Sequence, residues 1–138
     1  MPARFGKVAS ILAVSLALGL LPATPAAAGV HQGTWRGTTG EQRNIAFRVN
    51  GSEQVTWLRF KIEVESVLCK AVITWEASGS YPIRPDGTFV VKGMDGLSSF
   101  RVQGVFLGRA RAEGIAKTTV FDPCFASGRT QWKATKVL

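Results

Sequence analysis

Leu58, Phe60, Ile62 and Val64 alternate with Arg59, Lys61, Glu63 and Glu65. A period of two sends one set to one face of an extended chain and the other set to the opposite face, and no helical stripe gathers the charges. This run is therefore a half-buried strand, dry on one side and wet on the other. Turn chemistry punctuates the rest of the chain at Asn50-Gly51-Ser52, Ala77-Ser78-Gly79-Ser80, Pro85-Asp86-Gly87, Met94-Asp95-Gly96, Gly108 and Asp122-Pro123. Reading between these signals predicts strands near 32–38, 43–49, 54–66, 70–77, 81–84, 88–93, 98–106, 110–120 and 129–136. Seven to nine short strands with no convincing helix imply a single antiparallel β-sandwich or small β-barrel.

One hairpin can be argued residue by residue. With Leu107-Gly108-Arg109 as a three-residue loop, Phe106 faces Ala110, Gly104 faces Ala112, Val102 faces Gly114 and Phe100 faces Ala116. Bulky or open positions then meet small ones, as a crowded interior requires. The same register sends Arg101, Gln103, Arg111, Glu113 and Lys117 outward.

The N-terminus addresses the chain. Arg4 and Lys7 precede an apolar stretch from Val8 to Leu21, and PATPAAAG offers small residues for cleavage, which reads as a secretory signal peptide over 1–28, cut after Ala28. The apolar run is short against the roughly 20 residues of a membrane span, and no second segment offers a stable anchor. The 110 positions left when the first 28 of 138 are removed suit one secreted domain, 29–138, extracellular or periplasmic. Without Arg4 and Lys7 the formal charge falls by two, from +8 to +6.

Export bears on the two cysteines, Cys69 and Cys124. Oxidising compartments favour a bridge, a redox couple would favour C-x-x-C spacing, and a zinc site needs more ligands than two distant cysteines and one histidine. No metal and no cofactor is expected. Nor is catalysis: the one histidine, His31, lies near the new N-terminus, where chains are usually mobile, so a Ser/His/Asp or Cys/His set lacks a placed base. Glu63 and Glu65 belong to a solvated face, and Asp86, Asp95 and Asp122 stand beside Gly or Pro in turns.

Binding is the remaining class. Arg101, Arg109, Arg111 and Lys117, with Arg129 and Lys133 on the next strand, would give one sheet face a positive potential. Anionic wall polymers, acidic glycans or another extracellular protein fit such a face; charge carried for solubility is the plainer reading. Nucleic acid fits neither the compartment nor the pattern, since no strand shows an interleaved aromatic and basic motif of the kind that stacks bases. A second hypothesis is a small-ligand barrel whose cavity is lined by Trp35, Trp57, Trp75 and Trp132, against core packing by the same residues. Trp57 shares parity with Arg59 and Lys61, so either a bulge follows Thr56 or Trp57 is exposed. A third is an exported enzyme inhibitor presenting Phe121 to Gly128.

GTWRGTTGEQRNIAFRV at Gly33 to Val49, RPDGTF at Arg84 to Phe89, FRVQGVFLGRARAEG at Phe100 to Gly114 and the C-x3-G-x3-W of Cys124 to Trp132 resemble a family of small secreted bacterial all-β domains without assigned activity. That resemblance implies an all-β fold and a Cys69–Cys124 bridge, and it carries no catalytic residue. GTW at Gly33 and WKATKV at Trp132 to Val137 also look like the first and last strands of avidin-type barrels, although the middle of the chain departs from that pattern. The expected function is an exported, non-enzymatic β domain that binds an anionic cell-surface or extracellular partner through its basic sheet face.

Overall fold

The computed structural model describes residues 29–122 and 124–138. The proposed signal peptide and Pro123 lie outside the described residues. Eight strands follow one another: β1 Gly33–Thr39, β2 Asn44–Val49, β3 Gln54–Glu65, β4 Lys70–Pro82, β5 Thr88–Asp95, β6 Ser98–Phe106, β7 Arg111–Val120 and β8 Ala126–Lys136. Every neighbouring pair is antiparallel, and the spatial order is β4-β3-β2-β1-β8-β7-β6-β5. This is an up-and-down meander curled into a barrel, with first and last strands paired through Gly37 opposite Ala134 and Thr39 opposite Trp132.

Two features adjust the closure. Beyond the short β1–β2 hairpin, β3 and β8 meet directly at Glu65 opposite Ser127. Gly128 permits that approach, because a Cβ there would lie 2.1 Å from the Glu63 carbonyl oxygen. On the far side β4 and β5 form no ladder, and the seam is held by side chains: Trp75 packs on Phe100 at 4.9 Å, and the Tyr81 hydroxyl donates to the Lys92 carbonyl at 3.4 Å.

The interior is filled with rings. Trp35, Phe47, Phe89, Phe106 and Trp132 form a buried cluster, with Trp35 4.9 Å from Phe106 and Phe47 5.8 Å from Trp132, centroid to centroid. Small residues receive them: a Cβ on Gly104 would stand 2.5 Å from the Trp132 ring and 2.9 Å from Phe89. A second cluster joins Phe60, Phe100 and Trp75, whose indole N–H donates to the Thr118 hydroxyl at 2.8 Å.

Three sequence expectations change. The predicted break between the strands 70–77 and 81–84 disappears, and β4 runs unbroken to Pro82, because Gly79 and Ser80 together oppose Thr56 and are absorbed as a bulge. Thr56 is itself the extra residue against β2, where Arg48 opposes Trp57 and Val49 opposes Val55. The β8 strand also starts three residues before the predicted 129, held to β7 by Val120 opposite Ala126.

The β6–β7 hairpin turns one residue later than expected. Leu107 donates to the Arg111 carbonyl at 2.8 Å, so Gly108-Arg109-Ala110 is the loop, with Gly108 at φ +81°. The pairs become Phe106–Ala112, Gly104–Gly114, Val102–Ala116 and Phe100–Thr118, two residues from the predicted partners. A shift of two preserves which face each side chain takes. Ala112 and Ala116 are buried, whereas Arg101, Gln103, Arg111 and Lys117 are exposed.

Ala112, opposite Phe106 and Ala134, is buried in the core. Ala112→Leu should cost about 1–3 kcal/mol by overpacking, and Arg111→Leu less than about 0.5 kcal/mol, both read by urea unfolding; equal costs would refute the register. A disulfide joins Cys69 to Cys124 across 55 positions. In the chain-entropy model a loop of that size is worth up to about 4 kcal/mol. The purified protein should show no titratable thiol, and reduction should lower its melting temperature; an unchanged transition would deny the bridge a stabilising role.

Candidate functional site: a cationic ladder on the outer sheet face

Register decides how the outward cations meet. Lys92 on β5 lies opposite Arg101 on β6, Arg101 opposite Lys117 on β7, and Lys117 opposite Arg129 on β8. All four are exposed. Four strands spaced about 4.8 Å apart make this a line of like charges roughly 14 Å long. The ion pairs among the described residues are His31–Glu53 and Arg43–Glu63, so none of the four has an acidic partner within ion-pair distance.

The flanking rows are neutral. On one side run Met94, Ser99, Thr119 and Ser127, and on the other Val90, Gln103, Ile115 and Gln131. Hydroxyl and amide groups thus border the cations, and a shallow depression of about 410 Å³ lies along Lys92, Met94, Ser99, Arg101, Lys117 and Thr119. The arrangement can hold an extended anion by charge and by hydrogen bonds from both sides.

Several other outer cations have an acid as cross-strand neighbour without an ion-pair contact, while Arg36, Arg59 and Lys61 line a second depression. Arg59 lies opposite Glu76, Lys70 opposite Glu65, and Lys133 opposite Glu113. The Arg43 guanidinium donates to Glu63 at 3.0 Å and holds that carboxyl below its usual range, with Lys70 adding to the effect. Of the six basic residues singled out in the sequence, the structure brings together Arg101, Lys117 and Arg129. Lys133 faces Glu113, and Arg109 and Arg111 stand at the other end of β7, about 20 Å from Lys117 at about 3.3 Å per residue. Lys92 was not singled out, because only the β5–β6 register, tied by the Gly96-Leu97 turn, places it opposite Arg101.

The tryptophans divide differently. Trp35, Trp75 and Trp132 are buried among packed rings, and the Trp132 indole nitrogen has no hydrogen-bond partner. Trp57 lies half-buried on the outer face, and of the two explanations the bulge holds: Thr56 is the extra residue that lets Val55 and Leu58 both point inward. There it carries the Arg48 guanidinium over its ring at 4.8 Å and donates to Glu76 at 2.7 Å. The four do not line one space.

His31 departs from the mobile terminus expected of it. Its ring stacks on Phe106 at 4.2 Å, its Nδ1 meets the Glu53 carboxylate at 2.5 Å, and its carbonyl accepts from the Trp35 indole at 2.9 Å. Neither Glu63, paired with Arg43, nor Glu65, opposite Lys70, faces the other across a cleft. Asp86 closes its turn, accepting from the Thr88 amide at 3.0 Å and hydroxyl at 2.6 Å, which holds its carboxyl low. Asp95 ends β5 opposite Ser98, and Asp122 is exposed.

Fold and site together define an eight-stranded antiparallel barrel with a filled interior and a cationic line across half of its outer surface. No family model and no curated protein sequence matches the chain. Among solved structures, it is similar to an S-type phycobiliprotein lyase, CPES, from Guillardia theta, with a TM-score of 0.43 and 10% identity over 79% of this chain and 89% of that one. An overlap of that size assigns no activity or ligand to this chain.

Like charges directly opposite on neighbouring strands are destabilising by a few tenths to about 1 kcal/mol. Lys117→Glu, which places an acid between Arg101 and Arg129, should therefore raise stability by about 0.2–1 kcal/mol in urea unfolding at low salt. A loss of stability would show that the cations are held apart by contacts not recognised above.

Proposed function

We propose that this chain is an exported, non-enzymatic binding module that holds an anionic cell-surface partner on the Lys92–Arg101–Lys117–Arg129 ladder. The register of four unpaired cations supports this reading. Solubility needs net charge but no alignment, and scattered cations serve it equally well. Alignment costs stability, and a cost that folding does not require is a mark of function. The flanking serine, threonine and glutamine side chains add donors that a repeating anionic group can use. A small ligand held among the tryptophans has less support, since Trp35 and Trp132 already pack on Phe106 and Phe47 and Trp57 lies on the outer face under Arg48.

Retention on immobilised polyphosphate tests the proposal. The protein should bind at low salt and elute as the screening length shrinks toward about 3 Å near 1 M. Arg101→Glu with Lys117→Glu should weaken binding at least about tenfold, some 1.4 kcal/mol, at unchanged fold, whereas Arg109→Glu with Arg111→Glu should change it much less. Equal effects from the two pairs would replace the ladder with a diffuse attraction, and no effect from either would remove the anion-binding reading.

A further inference from the structure

The two ends of the barrel differ in what they expose. At one end the β3–β4, β5–β6 and β7–β8 connections emerge together, beside the polar β1–β2 turn that carries Glu41 and Arg43. They and their strand ends carry Val67 and Leu68, almost wholly in water, Met94 and Leu97, three-quarters exposed, and Phe121 and Phe125, 46% and 61% exposed. The two phenylalanine rings pack edge to face at 5.0 Å. The Cys69–Cys124 bridge ties the first of these connections to the third, and Glu65 opposite Ser127 brings their strands together, so Leu68 and Phe125 belong to one patch. At the other end the turns carry Asn50, Ser52, Glu53, Arg84, Asp86 and Arg109, and the exposed apolar residues there are Leu107 and the C-terminal Val137 and Leu138.

Large apolar side chains clustered at one end of a small domain mark a docking surface. Charge complementarity identifies what docks there. Each ladder cation stands three residues from the end of its own strand at the apolar end: Lys92 from Asp95, Arg101 from Ser98, Lys117 from Val120 and Arg129 from Ala126. Three residues span about 10 Å along a strand. Between tips and cations lies the row Met94, Ser99, Thr119 and Ser127, which carries no charge. From the end inward the surface is thus apolar, then hydroxyl-bearing, then cationic.

An anionic bilayer leaflet presents the complementary layers at the same depth. Interfacial elements bury their apolar part about 5–10 Å into the headgroup and acyl boundary, and basic residues just outside that depth are drawn to anionic headgroups. A soluble polyanion would satisfy the ladder and leave the apolar tips in water. We propose that this end of the barrel docks on the surface of an anionic phospholipid bilayer, with Leu68, Leu97, Phe121 and Phe125 entering the acyl boundary and the ladder meeting the phosphates. The proposal rests on the anion-binding reading above and adds the lipid. Arg43 and Glu63 neutralise each other, and Glu41, Glu65, Asp95 and Asp122 lie near the same layer and oppose the attraction, but Lys70, Lys92, Arg101, Lys117 and Arg129 outnumber them five to four.

The test uses the processed chain from Gly29, whose core lies wholly between Trp35 and Ala134. Co-sedimentation is measured with vesicles of phosphatidylcholine alone and of phosphatidylcholine with phosphatidylglycerol, beside retention on polyphosphate. The protein should partition onto the anionic vesicles at least about tenfold better than onto the neutral ones. Leu68→Ser with Leu97→Ser and Phe125→Ser, all exposed positions, should lose most of the vesicle binding while keeping polyphosphate retention and melting temperature. Arg101→Glu with Lys117→Glu should lose both kinds of binding. Vesicle binding unchanged by the three serines would overturn the bilayer while leaving the ladder reading intact, and so would polyphosphate retention without any vesicle binding, as expected if the tips dock on a protein. Failure to bind either would remove both proposals.

Discussion

The narrowness of the barrel governs the rest of the molecule. An eight-stranded meander encloses just enough space for side chains, and here five large rings occupy one part of it. Such rings fit where the facing wall recedes, which is why Gly104, Ala112, Ala116 and Ala134 line the strands around Trp132 and Phe106. Gly37 and Gly114 matter for a related reason: a Cβ at either would strike the neighbouring strand's backbone, at 1.7 Å and 1.9 Å. The sheet coils as tightly as it does because two strands lack side chains where they press closest to their neighbours.

Inward filling dictates outward order. Once Val102, Ala116 and Thr130 are committed to the interior, Arg101, Lys117 and Arg129 follow on the outer face in the same register. Nothing about the core requires those outer positions to be cations. Their coincidence in one line, together with Lys92, is therefore separable from folding, and it contrasts with positions such as Arg59 and Lys133, whose cross-strand neighbours are Glu76 and Glu113. The fold supplies a rigid comb; the choice of charge on each tooth is free to answer to a partner.

The disulfide connects this comb to the apolar end. By tying the β3–β4 connection to the β7–β8 connection it holds Leu68 near Phe125 without demanding a core beneath them. A covalent tie is well suited to that place, since residues that stay in water contribute little burial of their own. The open seam between β4 and β5, by contrast, relies on Trp75, Phe100 and Tyr81.

Much of the architecture was legible in the chain. Period-two alternation at Leu58 to Glu65, turn residues at Asn50 to Ser52 and Pro85 to Gly87, and the small residues of β6 and β7 determine an all-β chain and the face that each of these side chains takes. These are local properties, carried by backbone preference and burial along one strand. Which residues stand opposite one another is different. The β6–β7 pairing moved by two, the break at Ala77 to Ser80 became a bulge, and Trp57 proved to follow a bulge at Thr56 and to lie half-buried on the outer face, because alternation is unchanged by a two-residue slip and blind to a residue absorbed across strands. The ladder depends on three successive pairings, and the apolar end on three connections far apart in sequence. Both are products of tertiary register, which the core selects by volume and no single strand records.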